Sequence, residues 1–433
     1  MKQEKNINQS ILMTAYAVNP YKGSEDGMGW NFIMQAATTQ RVIAITRKNN
    51  RPHIEKYMAE HPDGKAQYQQ VQWWYFDWPK WMIFWKKGPL LSLIYYYMWQ
   101  LSLAIWLLPK RSAFSIVHTL NFHNDWTPSF LWLMGKPFVW GPIGHHPRIP
   151  ASFIRKQYGW RAWLQDRFLW AIKNWFWYID PFVYISKWKA RHIFCMNSEA
   201  AIKLRLPRHK YSIMPSVASE PVRPTVKTAI PDKFTVLSVG RFVPLKGFDV
   251  TIAAFATFYF QLSRAQQEKT QLILAGAGPF LPKIKQWIAE ANIAHCTQVI
   301  EWMPKSELEK MYRQSAVFLF PSHEGAGMVV AEAMSYGLPV ICFNNAGPGA
   351  FVHPDSLLKV SYKNYGTTVQ SFAAKLQMLH SNTGTYLHEH QLAEQRFNQY
   401  FLWSVRGKQL ATVYNTLLHK PAPVDTNQKL HMA

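Results

Sequence analysis

Short apolar runs alternate with helical patterns along this chain, and that alternation restricts the fold before any motif is weighed. Ile11–Val18, Val42–Thr46, Phe114–His118 and Pro137–Trp140 read as strands, and Val183–Ile185 and Ile193–Met196 continue the series. Residues 28–39 and 90–107 carry helical patterns between them. Strands that alternate with helices imply a parallel sheet covered on both faces.

The pattern breaks at residues 219–232 (SEPVRPTVKTAIPD), where three prolines and little apolar periodicity read as a linker. A second alternation follows. Strands are expected at Phe234–Val239, Gln271–Ala275, Thr297–Ile300, Ala316–Phe320 and Leu338–Phe343, with helices over 247–262, 282–291, 305–314 and 327–336 and a last helix over 403–418. Doubly wound sheets bind ligands beyond the carboxyl ends of their strands, and two such domains facing each other leave a cleft. The expected division is 1–222, 223–400, and a terminal helix over 401–420 that packs back toward the first domain.

The length supports two domains: 433 residues, 48% of them apolar. Cys195, Cys296 and Cys342 are too few and too scattered for a disulfide framework or a zinc site. The net charge of +23 should attract polyanions. No nucleic-acid motif is evident, and the cations are mixed with 15% aromatic residues, 20 of them Trp, which suits a membrane interface better. No signal peptide is expected from the polar residues 1–10. Residues 90–108 are about long enough to span a bilayer. A buried or interfacial helix, a membrane-embedded helix and a true span are all compatible with that length. Gln100 and three consecutive tyrosines favour the first.

Chemistry concentrates at residues 321–340 (PSHEGAGMVVAEAMSYGLPV). A strand ends, Glu324 stands in the loop, glycines open a helix, and Glu332 follows two helical turns later. Backbone N–H groups at a helix N-terminus can meet an anion, and carboxylates accept hydrogen bonds from vicinal hydroxyls. Taken alone, the segment also admits a plainer reading, with Glu324 a helix N-terminal charge and Glu332 a solvated residue. Arg241 and Lys246 flank a loop after a strand, and two cations there could neutralise a diphosphate leaving group. Gly276 and Gly278 allow close backbone approach.

These segments resemble the retaining glycosyltransferases of family 4, which have the GT-B fold. The 321–340 segment is similar to that family's E-x7-E signature, residues 234–249 to its strand and G-R…K-G loop, and residues 271–279 to its G-x-G-P turn. Residues 11–30 and 138–144 resemble the GSE-x-G-x-GW and W-G-P-[IV]-G patterns of one branch. The resemblance implies two Rossmann-like domains facing a central cleft. It implies that Glu324, Arg241 and Lys246 serve catalysis, with Glu324 on the transferred sugar. It also implies that Glu332 holds the ribose, while Gly240, Gly276, Gly278, Gly325, Ala326, Gly327 and Met328 line the donor site and Gly23 and Ser24 lie by the donor phosphate. A histidine touches the donor sugar in the family, and His118 is chosen over His123. His145 and His146 stand where related sequences carry glycines, a departure that points to a different acceptor. With two cations available and no D-x-D pair, no metal and no cofactor are expected.

The expected activity is transfer of a hexose-type sugar from a nucleotide-diphosphate donor to an acceptor hydroxyl, with retention, in polysaccharide or other glycoconjugate synthesis. The aromatic and basic residues of 73–109, together with Trp170, Trp175 and Trp177 beside Arg161, Arg167 and Lys173, are expected to dock on the inner membrane face, where the acceptor is a glycan or lipid-linked. A cytoplasmic, peripheral protein that binds no nucleic acid follows. The rival readings are a nucleotide-sugar epimerase or phosphorylase on the same fold and a non-catalytic membrane or polyanion binder.

Overall fold

A computed structural model describes residues 10–120, 124–222 and 227–418. The first sheet contains β1 (Ile11–Ala15), β2 (Val42–Thr46), β3 (Val71–Tyr75), β4 (Ile116–Leu120), β5 (Phe138–Ile143), β6 (His192–Cys195) and β7 (Tyr211–Ile213). Their order is β3-β2-β1-β4-β5-β6-β7, and every pair is parallel. The second sheet contains β8 (Phe234–Val239), β9 (Thr270–Ala275), β10 (Thr297–Ile300), β11 (Val317–Phe320), β12 (Val340–Phe343) and β13 (Lys359–Val360), ordered β10-β9-β8-β11-β12-β13 and again parallel. Both are doubly wound, Rossmann-like sheets. In each the strand order reverses beside the first strand, between β1 and β4 and between β8 and β11.

The central strands are buried along their whole length; β1, β2, β4, β8 and β11 have no exposed residue. Their apolar runs are continuous because helices cover both faces. Four apolar clusters result, two on each sheet.

Two helices cross between the halves. The Trp403–Leu418 helix returns to the first sheet, where Trp403, Leu410 and Tyr414 join the cluster around β1. In the other direction, Phe153 and Ile154 of the Ala151–Tyr178 helix join the core of the second sheet. That helix is broken at Gly159, whose φ of 84° and ψ of 172° lie outside helical space and in a region that favours glycine. Residues 151–158 pack on the second domain, and beyond the break Trp170 and Trp177 pack on the first.

Three sequence expectations need correction. Val183–Ile185 is not a strand but lies within the Pro181–Lys189 helix. Asp180 caps that helix by accepting the Phe182 N–H at 2.8 Å, and proline occupies its first turn. The start of the aromatic stretch, Trp73 to Tyr75, is part of the edge strand β3. Trp73 stacks on Trp30 with centroids 5.9 Å apart, and Trp74 meets Trp106 edge-on at 6.0 Å. Trp177, assigned to the second aromatic patch, is buried in the first domain.

Candidate functional site

The loops that follow β8 and β11 meet at the reversal point of the second sheet, where doubly wound folds bind ligands. The first loop runs from Gly240 through Arg241 to Lys246 and Gly247, and the second from Pro321 to Gly327. They are tied together by their backbones. The His323 N–H donates to the Leu245 carbonyl at 2.8 Å, and the Ser322 hydroxyl donates to the same oxygen at 3.0 Å. Gly247 has φ of 70°, and a Cβ there would lie 2.0 Å from the Pro321 carbonyl oxygen. Only glycine permits this approach.

Lys246 Nζ donates to both oxygens of Glu324, each at 2.8 Å. Both side chains are largely buried, at 17% and 9% exposure, so water screens the pair weakly. Glu324 lies at the N-terminal end of the Met328–Ser335 helix, whose dipole favours negative charge there. Arg241 is exposed at the mouth of the loop and has no acidic partner among the described residues.

Glu332 faces inward from the Met328–Ser335 helix. Burial holds its carboxyl above the ordinary range, opposed by the Tyr312 hydroxyl, which donates to Oε2 at 3.3 Å. Gly240, Gly276 and Gly278 belong to two turns lying side by side. The Gly240 N–H donates to the Ala275 carbonyl and the Phe242 N–H to the Ala277 carbonyl, both at 2.9 Å. A Cβ on Gly276 would come 1.9 Å from the Gly240 oxygen, and one on Gly278 would come 2.5 Å from the Phe242 oxygen. The space these glycines leave open is filled by the neighbouring turn.

The first domain reaches this site through two loops. Gly23 precedes the Ser24–Ala37 helix, and a Cβ on it would lie 3.9 Å from the Met328 sulfur. Met328 packs against clusters of both sheets, and Ala326 against one of the second sheet. In the first turn of the 24–37 helix, burial and the adjacent Asp26 push Glu25 up to about 7. The other contact is closer. Asn197 Nδ2 donates to the His145 carbonyl at 2.9 Å and to the Gly325 carbonyl at 2.7 Å. His146 Nδ1 accepts the Gly325 N–H at 3.1 Å, which leaves its proton on Nε2. His145 Nδ1 lies 2.8 Å from the buried Asp125 carboxylate. A Cβ on Gly325 would fall 1.8 Å from the His145 oxygen. Asn197, Asp125 and Glu25 were not among the residues expected from sequence. Asn197 was legible as a helix cap, since its side chain also accepts the Ala200 N–H.

His118 does not join this group. It is fully buried on β4, with Nδ1 2.6 Å from the Tyr414 hydroxyl and Nε2 2.7 Å from the Gly141 carbonyl oxygen. Burial pulls it down to about 3, so the ring is neutral and serves the core. His123 lies outside the described residues.

Comparison with known proteins bears on the family and the fold. Residues 224–397 match the family described as glycosyl transferases group 1. The chain is similar to the amylovoran biosynthesis glycosyltransferase AmsK of Erwinia amylovora, with 26% identity over 28% of this chain and 30% of that protein. It is also similar to the GDP-mannose-dependent alpha-(1-6)-phosphatidylinositol monomannoside mannosyltransferase of Mycolicibacterium smegmatis, with 27% identity over 27% of this chain and 31% of that protein. Each match spans about a third of the relative's length. The structure of Anabaena HepE in complex with UDP and glucose superposes with a TM-score of 0.57 at 14% identity, covering 94% of this chain and all of that one. The fold is therefore GT-B.

Proposed function

Because residues 224–397 match the family of glycosyl transferases group 1, we propose that this protein moves a hexose-type sugar from a nucleotide-diphosphate donor to an acceptor hydroxyl, with retention of configuration. The observation that carries the reading is the Lys246–Glu324 pair at the reversal point of the second sheet, with Arg241 beside it. The same loops thus offer cations for a diphosphate and a carboxylate for sugar hydroxyls.

When the bond between the anomeric carbon and the diphosphate breaks, charge grows on the leaving oxygen. Lys246 and Arg241 stabilise it. The acceptor oxygen bonds to the anomeric carbon on the same face, and its proton passes to the departing phosphate. Glu324 orients the sugar and Lys246 together, and Glu332 holds the ribose hydroxyls. These cations supply the neutralisation that a divalent ion would otherwise provide, so neither metal nor cofactor is required. Gly23 and Ser24 lie near the donor phosphate, and the acceptor enters from the first domain. The expected acceptor is a glycan or lipid-linked glycan of a polysaccharide or other glycoconjugate pathway, met at the inner face of the membrane. HepE binding UDP and glucose, and the mannosyltransferase using GDP-mannose, support a nucleotide-sugar donor.

The test incubates purified protein with radiolabelled UDP-, GDP- and ADP-sugars and a membrane glycolipid extract. One donor should label the lipid phase in equal measure to nucleotide release. Epimerised donor formed without acceptor, or turnover that requires free phosphate, would overturn the reading.

A further inference from the structure

The Gly88–Leu107 helix has two unlike faces. One buries Tyr95, Trp99, Leu103 and Leu107 against the first sheet. The other exposes Leu91, Ile94, Met98, Leu101 and Ile105 at spacings of three and four, with Leu108 following; Ile105 is 55% exposed. Such a stripe normally faces a core. The region from Leu91 to Ala113 is apolar enough to cross a membrane, but 39% of its most apolar 18-residue window is buried, and that buried face is committed to the sheet. Lipid therefore cannot surround this helix, though it can cover one side.

A second stripe adjoins it. Beyond Gly159 the Ala151–Tyr178 helix exposes Trp160, Leu164, Phe168 and Trp175, and the Pro181–Lys189 helix adds Tyr184 and Trp188. The stripes meet where Phe176 contacts Tyr97, with centroids 6.0 Å apart, and where the Tyr97 hydroxyl donates to Asp180 at 3.0 Å. Trp160 is 62% exposed and Trp188 70%, which is unusual for so large a ring in water.

The charge around this surface has one sign. No Asp or Glu occurs between Asp77 and Asp125. Residues 151–191 hold eight Lys and Arg against Asp166 and Asp180; the first is paired with Arg167 at 2.6 Å and the second is buried. Cations stand over the exposed rings: Lys189 is 4.5 Å from the Trp188 centroid and Lys187 is 5.0 Å from that of Tyr184. Exposed aliphatic residues, Trp and Tyr at the border, and a cationic rim match an anionic bilayer interface. A protein partner of ordinary composition would not call for one-sided charge.

We infer that the exposed faces of the Gly88–Leu107, Ala151–Tyr178 and Pro181–Lys189 helices together form one docking surface for an anionic phospholipid bilayer, entered to interfacial depth without spanning. The Ala151–Tyr178 helix packs on both domains, so docking through it fixes the mouth of the cleft relative to the lipid. This deepens the reading above, on which it rests for its membrane-borne acceptor.

The test is co-sedimentation of the full chain with vesicles of phosphatidylcholine alone, or of phosphatidylcholine and phosphatidylglycerol in equal parts. The wild type should pellet with the anionic vesicles only, and release as salt rises. Trp160→Ala/Phe168→Ala/Trp188→Ala and, separately, Lys187→Glu/Lys189→Glu should each lower pelleting by about tenfold. Both should bind nucleoside diphosphate as the wild type does, which shows that they are folded. Wild type left in the supernatant, or both variants pelleting like wild type, would overturn the inference. So would a wild-type dimer in sedimentation velocity that the aromatic variant dissolves, since a second copy would then cover this face. Vesicle binding without any sugar transfer would instead leave the surface standing and remove the transferase reading.

Discussion

Lys246 reaches across two loops to hold both oxygens of Glu324 at 2.8 Å, so the cation proposed for a phosphate and the carboxylate proposed for a sugar form one unit. Each residue orients the other, and residues that act as a unit show non-additive losses. Glu324→Ala and Lys246→Ala should each lower kcat/KM by about 100-fold to 1,000-fold. The double variant should lose little more than either single one. Steady-state kinetics of the three variants check this; losses that multiply would separate the two roles.

Gly325 lies on the seam between the domains. Its missing Cβ would lie 1.8 Å from the His145 oxygen and 2.8 Å from Asn197 Nδ2. Gly325→Ala should force the seam apart, costing about 1–3 kcal/mol as overpacking does. Activity should fall with stability, whereas Ala326→Gly beside it should leave the melting temperature nearly unchanged. Thermal melts and transfer rates of both variants measure the effect.

His118 serves the core, and its variants should say so. Tyr414→Phe leaves one ring nitrogen of a buried, neutral histidine without its hydroxyl partner, at a cost of about 1–3 kcal/mol. Urea unfolding should register that loss, while the KM for donor stays at the wild-type value. A raised KM with unchanged stability would return His118 to the site.

Glu25 makes stability depend on pH. Its carboxyl sits at about 7 in the fold against 4.5 unfolded, because burial and Asp26 oppose its charge. The folded chain thus holds the proton more tightly. The stabilisation is complete below about 4.5 and is lost as pH rises through about 7. Glu25→Gln removes this dependence. Relative to wild type it should gain on the order of 2 kcal/mol between about pH 5 and about pH 8, allowing for partial solvent contact. Urea midpoints at the two pH values decide it; a constant difference would contradict the assignment.

The sheets were legible in the sequence because parallel strands buried on both faces read as unbroken apolar runs. The helices expected over 305–314 and 403–418 coincide with Lys305–Gln314 and Trp403–Leu418. Within Pro181–Lys189 the Val-Tyr-Ile run suits a strand by composition, whereas the Asp-Pro start is a helix signal and decides the element. The loops carrying Lys246 and Glu324 could be read locally, each beside its own strand. The seam could not, because the contacts of Gly325 with Asn197 and His146 join residues 128 and 179 positions apart. Nor could the surroundings of His118, whose partner lies 296 residues away. Local pattern gives an isolated histidine at a strand end no sign of burial.

The central claim is that Lys246, Arg241, Glu324 and Glu332 share one nucleotide-sugar site. The most direct measurement is isothermal titration of the wild type with UDP, GDP and ADP, repeated on Arg241→Ala, Lys246→Ala and Glu332→Ala. One nucleotide should bind the wild type, and each variant should weaken it by about tenfold or more, which corresponds to about 1.4 kcal/mol. Equal affinity of all three variants and the wild type for that nucleotide, or no binding of any of the three nucleotides, would contradict the account.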